Sequence, residues 1–211
     1  MPRYIAFLRA INVGGHNVKM TELRALFQAL QLRNVETFIA SGNVIFETDS
    51  TEPQPLEQHI EAHLRQSLGY EVATFLRTDT EVSAVARYKP FADQELATAG
   101  ALNIAFLAQT LSAEAIQAVM KFKTDMDEFH VNGREVYWLC RQKQSESTFS
   151  NAVFERTLKT KATFRGANTI VRLAANYPGS ERGIRHWSSV LFEMDHQSER
   201  TSSNLMRMVV L

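Results

Sequence analysis

Short apolar runs and helix-spaced apolar residues alternate along this chain in a fixed order, and the order is met twice. Ile5-Ala6-Phe7-Leu8 has the length and aromatic content of a buried strand. Asn12, Gly14, Gly15 and Asn17 follow, residues with easy access to positive φ, so Ala10 to Lys19 reads as a loop. Leu23, Leu26, Phe27 and Leu30 then recur on one helical face, with Thr21 as the expected N-cap and Glu22 in the first turn. Val35 to Ala40 and Val44-Ile45-Phe46 are strands joined by the turn residues Ser41-Gly42-Asn43. Pro53 and Pro55 open a helix carrying Leu56, Ile60, Leu64 and Leu68, and Gly69 can end it. Val72 to Leu76 is a fourth strand, which completes β-α-β-β-α-β, the split βαβ or ferredoxin-like plait.

Val82, Val85 and Ala86 predict a connecting helix that stops at Lys89-Pro90. After Gly100 the same order returns. Leu102 to Leu107 is a strand, and Ser112 N-caps a helix with Ile116, Val119 and Met120 on one face. Glu128 to Val131 and Glu135 to Leu139 flank Asn132-Gly133, a strong hairpin signal. Ser147 or Ser150 caps a helix bearing Val153, Phe154 and Leu158. Ala162-Thr163-Phe164 is a short strand, and Thr169 to Ala175 a closing helix. The expected fold is α+β, with two tandem ferredoxin-like (βαββαβ, alpha-beta plait) subdomains at 1–78 and 100–176. Residues 79–99 supply a connecting helix and linker, and 177–211 a C-terminal tail. The tail is rich in Ser and Arg and ends in apolar Leu205 to Leu211, a candidate strand or cover for another surface.

Composition narrows function by exclusion. The chain has 211 residues, room for one large or two small domains. Its 23 Lys+Arg balance 23 Asp+Glu, so nucleic-acid binding through bulk charge is excluded while a local basic patch is not. Cys140 is the single cysteine, which forbids an internal disulfide and a cysteine-rich zinc site and suits a reducing compartment. No leader pattern is visible at Met1-Pro2-Arg3-Tyr4, and no apolar run approaches the roughly 20 residues of a membrane span. The expectation is a cytoplasmic protein without membrane contact.

Plait topology makes a spatial prediction. Strands one and two run parallel, with strand three between them and antiparallel to both. The loop after strand one and the turn between strands two and three therefore share one sheet edge. Here those segments are Arg9 to Asn17 and Ser41-Gly42-Asn43, beside a helix N-terminus whose backbone donors point outward. Arg9 and Lys19 would supply charge, Gly14, Gly15 and Gly42 close backbone approach, and Asn12, Ser41 and Asn43 orienting hydrogen bonds. Arg165, Asn168 and Thr169 join them if the two subdomains close on one cleft. The expected ligand is small and anionic or nucleotide-like. The same glycines and asparagines also serve as plain turn residues, and neither phosphate-loop nor dinucleotide fingerprint is present.

Other constellations are weaker. His59 and His63 lie four apart on one helix, but the order His-Ile-Glu-Ala-His misses the zinc-protease pattern and both histidines flank the apolar face. Cys140 alternates with Val136 and Trp138 and reads as a packed structural thiol. Arg141, Lys143, Arg156, Lys159, Lys161 and Arg165 form a basic stripe, yet no RNA-binding aromatic motif accompanies it, and Tyr137 and Trp138 point to opposite sheet faces. No catalytic residue, metal ligand or cofactor is assigned, and oligomeric state stays open. The alternatives to a ligand-binding protein are a non-enzymatic protein–protein interaction module and a weak binder of single-stranded nucleic acid.

Three segments carry a resemblance: Phe7-Leu8-Arg9-Ala10-Ile11-Asn12-Val13-Gly14-Gly15, Lys19-Met20-Thr21-Glu22-Leu23-Arg24, and Ser41-Gly42-Asn43-Val44-Ile45-Phe46. Together they resemble the uncharacterised bacterial family known as domain of unknown function 1697. Ser145-Glu146-Ser147, Phe154-Glu155-Arg156-Thr157-Leu158 and Ala162-Thr163-Phe164-Arg165 look similar as well. The resemblance implies two tandem plait subdomains and brings no reaction. The family's later motif, Thr-x-Arg-Asn-Trp-Asn-Thr, has Gly166 and Ala167 here at its Asn and Trp positions, within Thr163 to Thr169.

Overall fold

The computed structural model describes residues 1–11, 17–40 and 42–179. In the first half, β1 (Arg3–Leu8), β2 (Arg33–Thr37), β3 (Asn43–Glu47) and β4 (Thr74–Thr78) form one antiparallel sheet in the order β2-β3-β1-β4. In the second, β5 (Ala101–Phe106), β6 (Asp127–Asn132), β7 (Glu135–Cys140) and β8 (Thr163–Gly166) repeat it as β6-β7-β5-β8. The molecule is thus α+β with two four-stranded antiparallel sheets, consistent with two subdomains.

Alternation along the strands fixes three cores. Tyr4, Ala6 and Leu8 of β1, with Val44 and Phe46 of β3, face helices α1 (Met20–Ala29) and α2 (Pro53–Leu68). Ala105 of β5, with Val136, Trp138 and Cys140 of β7, faces α5 (Ala113–Met120) and α6 (Asn151–Leu158). The opposite faces meet each other. Ile5, Phe7 and Ile45 join Ile104, Phe106, Tyr137 and Leu139 in a core closed by α3 (Asp79–Arg87) and α7 (Ala167–Asn176). At its centre Phe7 stacks on Phe106, with ring centroids 4.0 Å apart. Such a pair adds about 0.5–1.5 kcal/mol beyond its buried area.

Several local expectations are corrected. Lys19, not Thr21, occupies the α1 N-cap, and its side chain makes no capping hydrogen bond. β2 stops at Thr37 rather than Ala40, because Ile39 sits at φ 51°, outside any strand conformation. β4 begins at Thr74 instead of Val72, and β8 runs on to Gly166. Ser150 caps α6 by accepting from the Val153 N–H, while the Ser147 hydroxyl donates to Asp127 at 2.8 Å. A short helix α4 (Asp93–Thr98) and a 3₁₀ turn at Gln144–Glu146 had no clear periodicity to announce them. No helix among the described residues is long and apolar enough to cross a membrane. The readings on the Ser- and Arg-rich tail past 179 and on Leu205 to Leu211 lie outside the described residues.

Candidate functional site at the rim of the first sheet

The end of β1 and the β2–β3 turn do meet. Leu8 N–H donates to the Gly42 carbonyl at 2.8 Å, and Arg9 N–H donates to Ala73 on the other flank. Gly42 adopts φ +70°, and a Cβ there would lie 3.2 Å from Ile11 Cβ and 3.3 Å from Leu8 Cβ, so both dihedral and tight space favour glycine. Ala10 also takes a positive φ of 66°. Asn12, Gly14, Gly15 and Ser41 lie outside the described residues.

Arg165 of β8 reaches across from the second half into this rim. Its Nε donates to Asn43 Oδ1 at 2.7 Å, and Nη1 donates to Thr163 Oγ1 and the Phe164 carbonyl at 2.8 Å each. Nη2 donates to the Leu8 carbonyl at 2.9 Å and the Gly42 carbonyl at 3.3 Å. Every acceptor is neutral. Burial alone pushes the guanidinium down to about 10, still charged at neutral pH. Asn43 is equally engaged, donating from Nδ2 to the Phe38 carbonyl at 3.1 Å. The fork is therefore filled by protein groups, and its charge has no carboxylate partner among the described residues.

A matching fork runs the other way. Arg77 of β4 enters the second half, where its Nη2 donates to the carbonyls of Leu107 and Arg134, and its Nη1 to Leu76. Leu107 N–H donates to the Arg134 carbonyl, as Leu8 does to Gly42. Arg77 lies over Phe106 and Arg165 over Phe7. The two forks differ at Nη1, where Arg165 alone adds a side-chain hydroxyl, that of Thr163, and above all at Nε. Arg77 Nε meets the Glu135 carboxylate at 2.6 Å, where Arg165 Nε meets the Asn43 amide.

The remaining predicted residues divide. Arg9 makes a bidentate pair with Glu155 of α6, both bonds at 2.6 Å, and the same carboxylate accepts the Ala162 N–H at 2.8 Å. Its charge is neutralised within the protein. Lys19 is exposed at the start of α1. Asn168 is exposed and Thr169 half-buried in the first turn of α7.

Sequence reasoning missed Arg77, Glu135 and the role of Glu155. An arginine inside the apolar run Phe75-Leu76-Arg77 was the available signal, since strand alternation would aim it inward. The basic stripe is only partly spent within the protein: Lys143, Arg156 and Lys159 stay exposed, and the other three are engaged. Arg165 is buried, Arg141 pairs with Glu95 and Glu128, and Lys161 pairs with Glu71. His59 is exposed and His63 half-buried, and the described residues hold no group of three or more His, Cys, Asp or Glu side chains fit for a metal. Cys140 is fully buried, and burial raises its thiol pKa.

Fold and rim together define an α+β protein whose two sheets are clasped by reciprocal arginines beside a glycine-bearing edge. The chain belongs to the family described as Protein of unknown function (DUF1697), whose model matches residues 1–137. The motifs at 145–165 that also resembled that family lie beyond the matched segment. Among solved structures, the conserved bacterial protein SP0830 from Streptococcus pneumoniae is similar at 22% identity and a TM-score of 0.68. The match covers 85% of this chain and 99% of that one, and at this identity it bears on fold alone. No curated protein matches the chain.

Proposed function

We propose that the chain binds a small anionic or nucleotide-like ligand at the rim formed by β1, α1 and the β2–β3 turn. One observation carries this reading: the buried Arg165 charge lies under that rim without a compensating carboxylate, while its counterpart Arg77 has Glu135. A cation held by neutral acceptors leaves a positive field that a negative guest would satisfy. The N-terminus of α1, whose N-cap Lys19 supplies no side-chain acceptor, and the exposed Lys19 charge favour the same sign. Neither Arg9 nor the donors of Arg165 would contact the ligand, since protein groups already hold them. We also read each half as a ferredoxin-like plait, on its strand order and its pair of helices against one sheet face.

The test is a heteronuclear titration with inorganic phosphate and adenosine monophosphate. Saturable shifts are expected at the amides of Arg9 to Ile11, Lys19 to Glu22 and Gly42. Asn43→Glu would supply the missing counter-charge, as Glu135 does in the other half, and should abolish them. Amides that stay unmoved at millimolar ligand would overturn the reading.

A further inference from the structure

The corresponding edge of the second half opens on a cleft of ≈ 840 Å³. One wall is the loop after β5, Ala108 to Thr110, and the facing wall is the start of α2, Thr51 to Pro55. Tyr4 lines this cleft although it is only 4% exposed, and its hydroxyl makes no hydrogen bond to any described residue. The ring is held by stacking on Phe46 at 6.0 Å. The hydroxyl itself keeps contact with solvent in the cleft, so it is free to donate to a guest there. Burial and the Glu81 charge raise the Tyr4 pKa, so the phenol remains a donor.

The walls disfavour an anion. Pro53 and Pro55 carry no N–H, and the Leu56 N–H is directed at the Glu52 carbonyl, so this helix start has few donors to offer. Arg134 spends its charge on Glu81 at 2.7 Å. Glu52 forms no ion pair with a described residue, which leaves the lining with a negative balance. The Tyr4 hydroxyl, the amides of Gln54 and Gln109 and the Thr110 hydroxyl remain, set against proline rings. From this set we propose that the cleft is a second binding site, distinct from the first rim, for a neutral hydroxyl-rich ligand of the saccharide class. Amides and carboxylates accept from sugar hydroxyls, the phenol donates to a ring or hydroxyl oxygen, and the prolines cover an apolar sugar face.

The test uses the full chain, titrated with glucose, maltose and N-acetylglucosamine, with inorganic phosphate as control. At least one sugar should saturably shift the Tyr4 ring and the amides of Gln54, Ala108 to Thr110 and Arg134, and phosphate should not. Tyr4→Phe keeps the stacking ring and should weaken binding about three- to tenfold with no fall in Tm. Should that variant fail to fold, Gln109→Ala is read instead, with the same expected loss. The proposal is overturned if no sugar moves these signals, if phosphate moves them, or if the folded variant binds as tightly as the parent. The rim of the first half is read in the same spectra, so either site can fail alone.

Discussion

Arg165 shows how one side chain can hold an interface without an ion pair. Its guanidinium satisfies carbonyls of Leu8, Gly42 and Phe164 together with the side chains of Asn43 and Thr163. Arg165→Met would strip this set of buried acceptors of their charged donor, and a loss of about 3 kcal/mol in urea unfolding is expected. Arg9→Ala should cost less, about 1–2 kcal/mol by the same measurement, because a third of the arginine side chain is exposed and screened. Its variant should keep any ligand affinity, since Glu155 already holds the charge. Glu57 gives a pH test. It is buried, burial raises its pKa, and it accepts the Leu76 N–H at 2.8 Å. The folded chain therefore holds this proton more tightly than the unfolded one. That contribution is full below the unfolded value and fades as pH climbs through the raised folded value. Glu57→Gln keeps an acceptor for Leu76. It should be more stable than the parent at about pH 7, and the advantage should shrink toward about pH 4 in urea unfolding.

The β2–β3 hairpin is the element on which sequence and structure differ most. Its apolar run, Val35 to Ala40, looks like one strand, yet the backbone turns left-handed at Ile39 so that Phe38 N–H and Asn43 can bond each other across the turn. Strand propensity carries no information about that local requirement, which arises only when β1 and Arg165 press on Gly42 from the other side. Gly42→Ala should lose about 1–2 kcal/mol, read as a lowered urea midpoint. Elements with strong local signals were legible: Gly69 ends α2 in the left-handed conformation, Asn132-Gly133 makes the tight turn, and Ser112 caps α5. The α3 N-terminus is held by a box in which Thr78 accepts from Glu81 N–H and Glu81 accepts from Thr78 N–H. Glu81 also takes Arg134 from the other half, so the cap doubles as a contact between halves.

At the scale of the molecule, the two halves are joined by contacts that mirror each other: a stacked phenylalanine pair and two crossing arginines. Order of elements revealed the duplication. The crossing did not show, because the Ala-Thr-Phe that precedes both arginines stands at different spacing, Ala73-Thr74-Phe75-Leu76-Arg77 against Ala162-Thr163-Phe164-Arg165, although Arg77 and Arg165 sit at matching strand positions. The rim was legible for the same reason the fold was, since topology alone brings Leu8 to Gly42. The occupancy of its charges was not, since Glu155 and Arg165 arrive from far along the chain. With the central core made jointly by both sheets, unfolding should be one cooperative transition. A calorimetric enthalpy equal to the van't Hoff value would agree, and two resolved transitions would not.

Cys140 offers a clock for that opening. It is the single cysteine of the chain and is wholly shielded beside Trp138 in β7. A thiol-reactive dye can reach it only after the surrounding packing opens, so labelling velocity in native buffer reads the open population, or the opening rate once the dye outpaces reclosing. Weakening the first-half fork through Arg77 should then speed modification of a sulfur in the other half, a distant echo with no reporter group to install.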